Sequence, residues 1–256
     1  MKKIILGLFA ISALVVACKK IDSIPVRFTP IPATNTNVKF LNMSPDAPQF
    51  NFFVNNIKAS ATAPTTSGVV QGYVFPAIYP ATIGYASVPS GSVTIVAKVT
   101  DSSIITPGAV LNTTTENLTA NRFYTYAIFD SVSRIQSVLV EDDPSVPDTS
   151  KAYFRLGNFI GNGPVRIEFT KTNTAAGPVS RNFPNLTPKT VTNFDSLSAK
   201  GATYKVMMYN SANVKLDSIS AFTPTATKKY TIYARGVLGL TGTNTRRPII
   251  TNYINF

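Results

Sequence analysis

Frequent short runs of β-branched and aromatic residues, a trio of sequence blocks that recurs once in the same order, and the lack of a long amphipathic pattern predict an all-β protein. The architecture they point to is two tandem immunoglobulin-like antiparallel β-sandwich domains behind an export signal and a tether. The signal comes first. Lys2 and Lys3 give a positive start, Ile4 to Val16 is an almost unbroken apolar run, and Val15-Val16-Ala17-Cys18 closes it with a small residue before a cysteine. The run is too short for a stable bilayer span, and its charged, apolar, small-residue order is that of a secretory signal over residues 1–17. Residues 18–37 then read as a flexible tether, because Pro25, Pro30 and Pro32 among Thr and Asn forbid a core helix.

From Val38 the pattern changes. Val93–Val99, Phe123–Phe129, Ile135–Val140, Tyr204–Tyr209 and Tyr230–Ala234 are the clearest strands, punctuated by Gly, Pro and Asn. Three blocks repeat. Val38-Lys39-Phe40-Leu41-Asn42 corresponds to Tyr153-Phe154-Arg155-Leu156-Gly157-Asn158. Tyr85–Gly91 before VTIVAKV corresponds to Phe194–Gly201 before YKVMMY, and Arg122–Thr125 to Lys229–Ile232. Two domains follow, residues 38–141 and 152–256, joined by a linker over 142–151 that contains DDPSVPDTS.

Composition narrows the chemistry. The chain has no His, no Trp and one Cys, Cys18. Without His there is no Ser-His or Cys-His pair, and structural zinc lacks its ligands. Glu141, Asp142 and Asp143 adjoin Pro144 and read as a solvated domain junction rather than a metal site. No glycine-rich phosphate loop appears, and no cofactor is expected. A non-enzymatic protein is the leading reading. The alternatives are a hydrolase acting on polysaccharide, which would need two placed carboxylates, and a passive structural lipoprotein.

With these residues in view, Val15-Val16-Ala17-Cys18 resembles the lipobox of bacterial lipoproteins. The resemblance implies that Cys18 is acylated and holds the protein on a membrane, the plainer alternative being a cleaved signal with an incidental cysteine. Val38-Lys39-Phe40-Leu41-Asn42-Met43-Ser44-Pro45-Asp46-Ala47-Pro48 resembles the opening of a bacterial domain-of-unknown-function family numbered 4397. Ser90-Gly91 before VTIVAKV and Arg122-Phe123-Tyr124-Thr125 resemble later strands of that family. The likeness covers about residues 38–141. The second copy has Ile160-Gly161-Asn162-Gly163-Pro164 where the first has Ser-Pro-Asp-Ala-Pro, so its membership rests on the internal repeat. The resemblance implies an envelope β-sandwich, with no established activity and no catalytic residues. Asp46 reads as a turn residue bonding nearby backbone, rather than as a metal or ligand group.

Charge divides the halves. Residues 38–150 carry five Lys/Arg against eight Asp/Glu, and residues 151–256 carry fourteen against three. A basic half suits a polyanion or a membrane surface, with Lys228, Lys229, Arg246 and Arg247 as the densest pairs, although scattered outward charges give the same count. Partners that fit an exported lipoprotein are a glycan, lipopolysaccharide or an envelope protein, not nucleic acid. Ser23, Ser131, Ser196 and Ser218 each stand in an Asp-Ser-aliphatic triplet. The triplet resembles an O-glycosylation signal of Bacteroidetes. The expected place is the outer membrane, and the Lys19-Lys20-Ile21-Asp22 stretch leaves the periplasmic and surface-facing sides both open.

Overall fold

The structure is a computed structural model of the 256-residue chain and describes residues 34–81, 83–173 and 179–256. Cys18 and Ser23 lie outside the described residues. Seventeen strands and one short 3₁₀ turn, Val132–Arg134, make up the regular structure there. In the first sandwich an inner sheet is built on β1 (Asn35–Met43) and β8 (Phe123–Phe129). β9 (Gln136–Glu141) flanks β8, and β4 (Ala77–Tyr79) and β5 (Ala86–Pro89) share the far edge of β1. Its outer sheet runs β3 (Ile57–Lys58), β2 (Phe50–Val54), β6 (Gly91–Val99), β7 (Val110–Leu118). The second sandwich repeats this order. Its inner sheet is β13 (Asp195–Ser198), β10 (Lys151–Phe159), β16 (Lys229–Arg235), β17 (Ile249–Ile254), and its outer sheet is β12 (Val179–Asn182), β11 (Val165–Lys171), β14 (Tyr204–Asn210), β15 (Lys215–Phe222).

The expected all-β sandwiches are therefore present, with one addition in each. β1 pairs with β8, and β10 with β16, in parallel, while the other pairings are antiparallel. The physical reason lies in burial. The inner sheets stand back to back, and Leu41, Met43, Ala127 and Phe129 of the first meet Phe159 and Tyr233 of the second in a core of their own. β1 and β10 are thus covered on both faces, the situation in which parallel pairing is normally found. Two further cores fill the sandwiches, one around Phe40, Phe52, Ile95 and Tyr126, the other around Phe154, Ile167, Val206 and Ile232. Each outer-sheet core strand alternates, as β6 does with Val93, Ile95, Ala97 and Val99 inward.

The registers align the copies residue by residue. Val38 pairs with Tyr124 as Phe154 pairs with Tyr230, so Lys39 corresponds to Arg155 and Asn42 to Asn158. Both asparagines are fully buried. Asn42 Nδ2 donates to Tyr73 O at 3.1 Å and its Oδ1 accepts from Ser44 N; Asn158 Nδ2 donates to Leu186 O at 2.8 Å and its Oδ1 accepts from Ile160 N. Tyr73 and Leu186 make equivalent bridges to Phe50 and Val165. Asp46 differs from expectation. Its Oδ1 accepts from Val132 N at 2.8 Å, a residue far along the chain, where a local bond was predicted. Asn162 does the same in the second copy, accepting from Leu238 N at 2.9 Å. The unlike turn sequences therefore serve one task, tying the turn after the first strand to the turn after β8 or β16.

The linker is also unlike its sequence reading. Asp142 is buried, not solvated, because the chain leaves β9 directly into the seam between the sandwiches. Equivalent residues meet there. Asn255 Nδ2 lies 3.2 Å from Asp142 Oδ2, and these two positions correspond, since Asp142 N bonds Phe123 O as Asn255 N bonds Lys229 O. Phe123 packs edge-on against Phe256 at 5.1 Å, and their counterparts Lys229 and Asp143 pair at 3.7 Å. Reciprocal contacts of this kind define an approximate two-fold axis, as in an isologous dimer, here within one chain.

Candidate functional site

The densest cluster of charged groups is the seam. Arg155 NH2 stands 2.6 Å from Asp142 Oδ1, both side chains almost wholly buried. Arg155 Nε donates to Thr231 Oγ1 at 2.9 Å and NH2 to Thr125 Oγ1 at 3.2 Å. Thr125 Oγ1 in turn donates to Asp142 Oδ2, and Thr231 Oγ1 to Asn255 Oδ1, each at 2.7 Å. Tyr85 OH donates to Asp142 Oδ2 at 2.7 Å, and burial pushes its own pKa far up. Lys39, the counterpart of Arg155, donates to Gly84 O at 2.6 Å beside the ring of Tyr85, and burial lowers its pKa to about 8. These groups answer one another across the seam, and charges so enclosed hold two sheets in register rather than face a substrate.

The sequence-predicted basic site is corrected by the same geometry. Lys229 is 1% exposed, with Nζ donating to Asp143 O and lying over Phe194 and Tyr153. Lys228 precedes β16, whereas Arg246 and Arg247 pass beside Gly236 just beyond its other end. Six further residues of β16 separate Lys229 from Gly236, roughly 20 Å. Arg247 also binds Asp217 at 3.4 Å. The four side chains therefore form no common polyanion face. Of the Asp-Ser triplets, Ser131 precedes the 3₁₀ turn, while Ser196 lies in β13 and Ser218 in β15. Two of their aspartates accept from the backbone of the triplet serine itself, Asp130 from Ser131 N and Asp195 from Ser196 N, and all three have further partners. Asp130 pairs with Arg134, Asp195 pairs with Arg181, and Asp217 accepts from Ile250 N.

A different surface emerges on the outer sheet of the first sandwich. Phe50, Phe52 and Val54 point into the core, so Asn51 and Phe53 belong to the opposite face. Register sets Lys58, Phe53, Val96 and Thr113 in one row across β3, β2, β6 and β7, with Asn51, Lys98 and Val110 in the next. Two loops rise at the end of these rows. In one, Gly68 N bonds Thr65 O and Val69 N bonds Thr65 Oγ1, which turns Val69 and Val70 outward. In the other, Ser103 Oγ accepts from Ile105 N at 3.2 Å, fixing the turn that carries Ile104 and Ile105. Ser102 Oγ donates to Val70 O and ties the loops together. Between loops and sheet lies a recess of about 440 Å³, within the usual range for ligand pockets. Phe53, Val69, Val70 and Val99 line it, with Lys58, Lys98 and Asp101 as its charged groups.

The second sandwich supplies an internal control. Its equivalent outer face carries Arg166 between Glu168 at 3.3 Å and the ring of Tyr209 at 4.3 Å, with Asn182 also bound. That face is closed by polar links. Ile57, Val69, Val70, Val74, Ile83, Ile104, Ile105, Val110 and Val132 are exposed in the first sandwich, against Val179 and Val214 in the second. Ile104 is 98% exposed. Sequence reasoning passed over this site. Its signal was an aliphatic pair, Val69-Val70, set among Thr, Ser, Gln and Gly, where a turn needs none.

Among known proteins, the family model described as Domain of unknown function (DUF4397) matches residues 36–168, the whole first sandwich and the first strands of the second. No curated protein matches the sequence. A solved structure of a family 26 carbohydrate-binding module from Eubacterium rectale Amy13K, in complex with maltoheptaose, aligns at 11% identity. The alignment covers 85% of this chain and 96% of that one with a TM-score of 0.24, too slight an overlap to bear on fold or ligand.

Proposed function

This chain belongs to the family Domain of unknown function (DUF4397), and from that premise we propose that it is a non-enzymatic lipoprotein of the cell envelope, anchored in the outer membrane through Cys18 and working as a binding module. The observation that carries the binding role is the apolar recess of the first sandwich, open in one copy of a duplicated fold and closed by salt links in the other. Large exposed aliphatic patches are kept where something covers them. The recess holds a single acid, Asp101, and so offers no carboxylate pair for hydrolysis. The anchor is supported by Lys2, Lys3 and the apolar run that ends at Val15-Val16-Ala17-Cys18. Several acyl chains on one residue would hold stably where one chain binds marginally.

Labelled fatty acid tests the anchor. Wild-type protein should carry label and sediment with membranes, and the Cys18→Ser protein should do neither; label on that variant removes the lipoprotein reading. Binding is tested with the same variant, freed of its lipid. It should still be retained by native envelopes, and Val69→Ser with Val70→Ser should release it. Equal retention with and without the two valines would show that the recess takes no part. Protease treatment of whole cells reports which side the body faces.

A further inference from the structure

We infer that the recess takes a segment of a partner protein, one that inserts an apolar side chain between the loops and carries an acidic residue beside it. The inference rests on the binding reading above and names the chemistry of its partner. Residues 38–150 hold only five Lys/Arg among eight Asp/Glu, yet two of the five, Lys58 and Lys98, line this one recess. Against these two stands a single lining acid, Asp101, so the recess keeps a net positive charge on an otherwise acidic sandwich and complements an acid on the partner. The apolar wall is three valines, Val69, Val70 and Val99, with Phe53 as the one aromatic side chain, and Asn51, Thr100 and Ser102 add polar groups that either a glycan or a peptide could use. A glycan would want several flat rings to stack on, and the recess offers one. Protein anchors instead bury an aliphatic or aromatic side chain in a pocket of this kind, inside a water-excluding rim. Val69 and Val70, 45% and 53% exposed, supply that rim, on a loop that Ser102 ties to its neighbour.

The experiment uses the full chain with Cys18→Ser and two defined probe sets. One is a pool of acetylated hexapeptides pairing Leu or Phe with Asp or Glu, matched to a pool with Lys in place of the acids. The other is a series of malto- and laminari-oligosaccharides. The acidic pool should bind at least tenfold more tightly than the basic pool. Lys58→Gln with Lys98→Gln should erase that preference, Val70→Ser should weaken binding to both pools, and Val214→Ser on the second sandwich should change nothing. Thermal melts matching wild type confirm that the variants are folded. Oligosaccharide binding that depends on Val70, with no peptide binding, overturns this inference and leaves the binding module standing. Indifference of every probe to the recess variants overturns both. A photocrosslinking residue at position 70 in living cells should give a protease-sensitive adduct that the Lys58→Glu, Lys98→Glu protein lacks; a protease-resistant adduct counts against a protein partner.

Discussion

A methyl group at position 161 would lie 2.0 Å from Asp130 Cγ, and nothing there is free to yield. Asp130 is 7% exposed and held by Ser131 N, Arg134 and Gln136. Gly161→Ala should therefore destabilise by about 1–3 kcal/mol, the usual range for overpacking. Urea unfolding measures it, and a midpoint equal to wild type would refute the contact. The paired asparagines make a second residue-scale case. Asn42→Ala and Asn158→Ala leave the buried Ser44 and Ile160 N–H groups without these partners, at about 1–3 kcal/mol each. The loss at Asn158 should be the larger, because its amide also donates to Gly163 O. Asn42 and Asn158 were legible in the sequence as the end of the first repeat block. Asp46 was legible as a residue that binds backbone, but its partner, Val132, was not, because nothing local in the sequence marks a contact between two distant turns.

Between elements, the seam is the feature the sequence concealed. β1 and β10 were readable as strands, yet Lys39 and Arg155 occupy positions that an alternating pattern assigns to solvent. The residues that neutralise Arg155 come from the end of β9, across a boundary that reads as linker. Removing one partner leaves a charge buried. Asp142→Ala should cost about 3–5 kcal/mol, and Asp142→Leu with Arg155→Met considerably less, since replacing both charges by apolar groups is often near neutral. A double-mutant cycle by chemical denaturation checks this, and additive losses would show the pair to be uncoupled. That the two sandwiches share one topology was legible in the repeat blocks, although the strand order itself was not. The parallel pairs were not, because a parallel partner leaves no turn signature between its strands.

For the molecule as a whole, burial of ionisable groups sets how stability follows pH. Lys39 has a pKa near 8 when folded against an ordinary 10.5, so between those values the unfolded chain binds more protons and stability rises with pH. Lys229, lowered by burial, adds to the same trend. Tyr85, Tyr126 and Tyr233 work in the opposite sense. Burial raises their pKa, so their contribution is complete below about pH 10 and is lost above it. Thermal melts should show a rise from pH 8 towards 10 and a fall beyond, and Lys39→Met should flatten the rise; an unchanged rise would show that Lys39 does not set it. The fold class was legible at this scale and the recess was not, because β-branched residues in turns look like strand ends until register places them together. One mechanical consequence follows from β1. The strand begins at Asn35, and its hydrogen bonds to β8 lie across its axis through seven successive residue pairs. A pull on an anchored N-terminus would load those bonds together, in shear, instead of peeling them one after another. Force that enters at Asn35 would thus meet the protein at the point where it yields least.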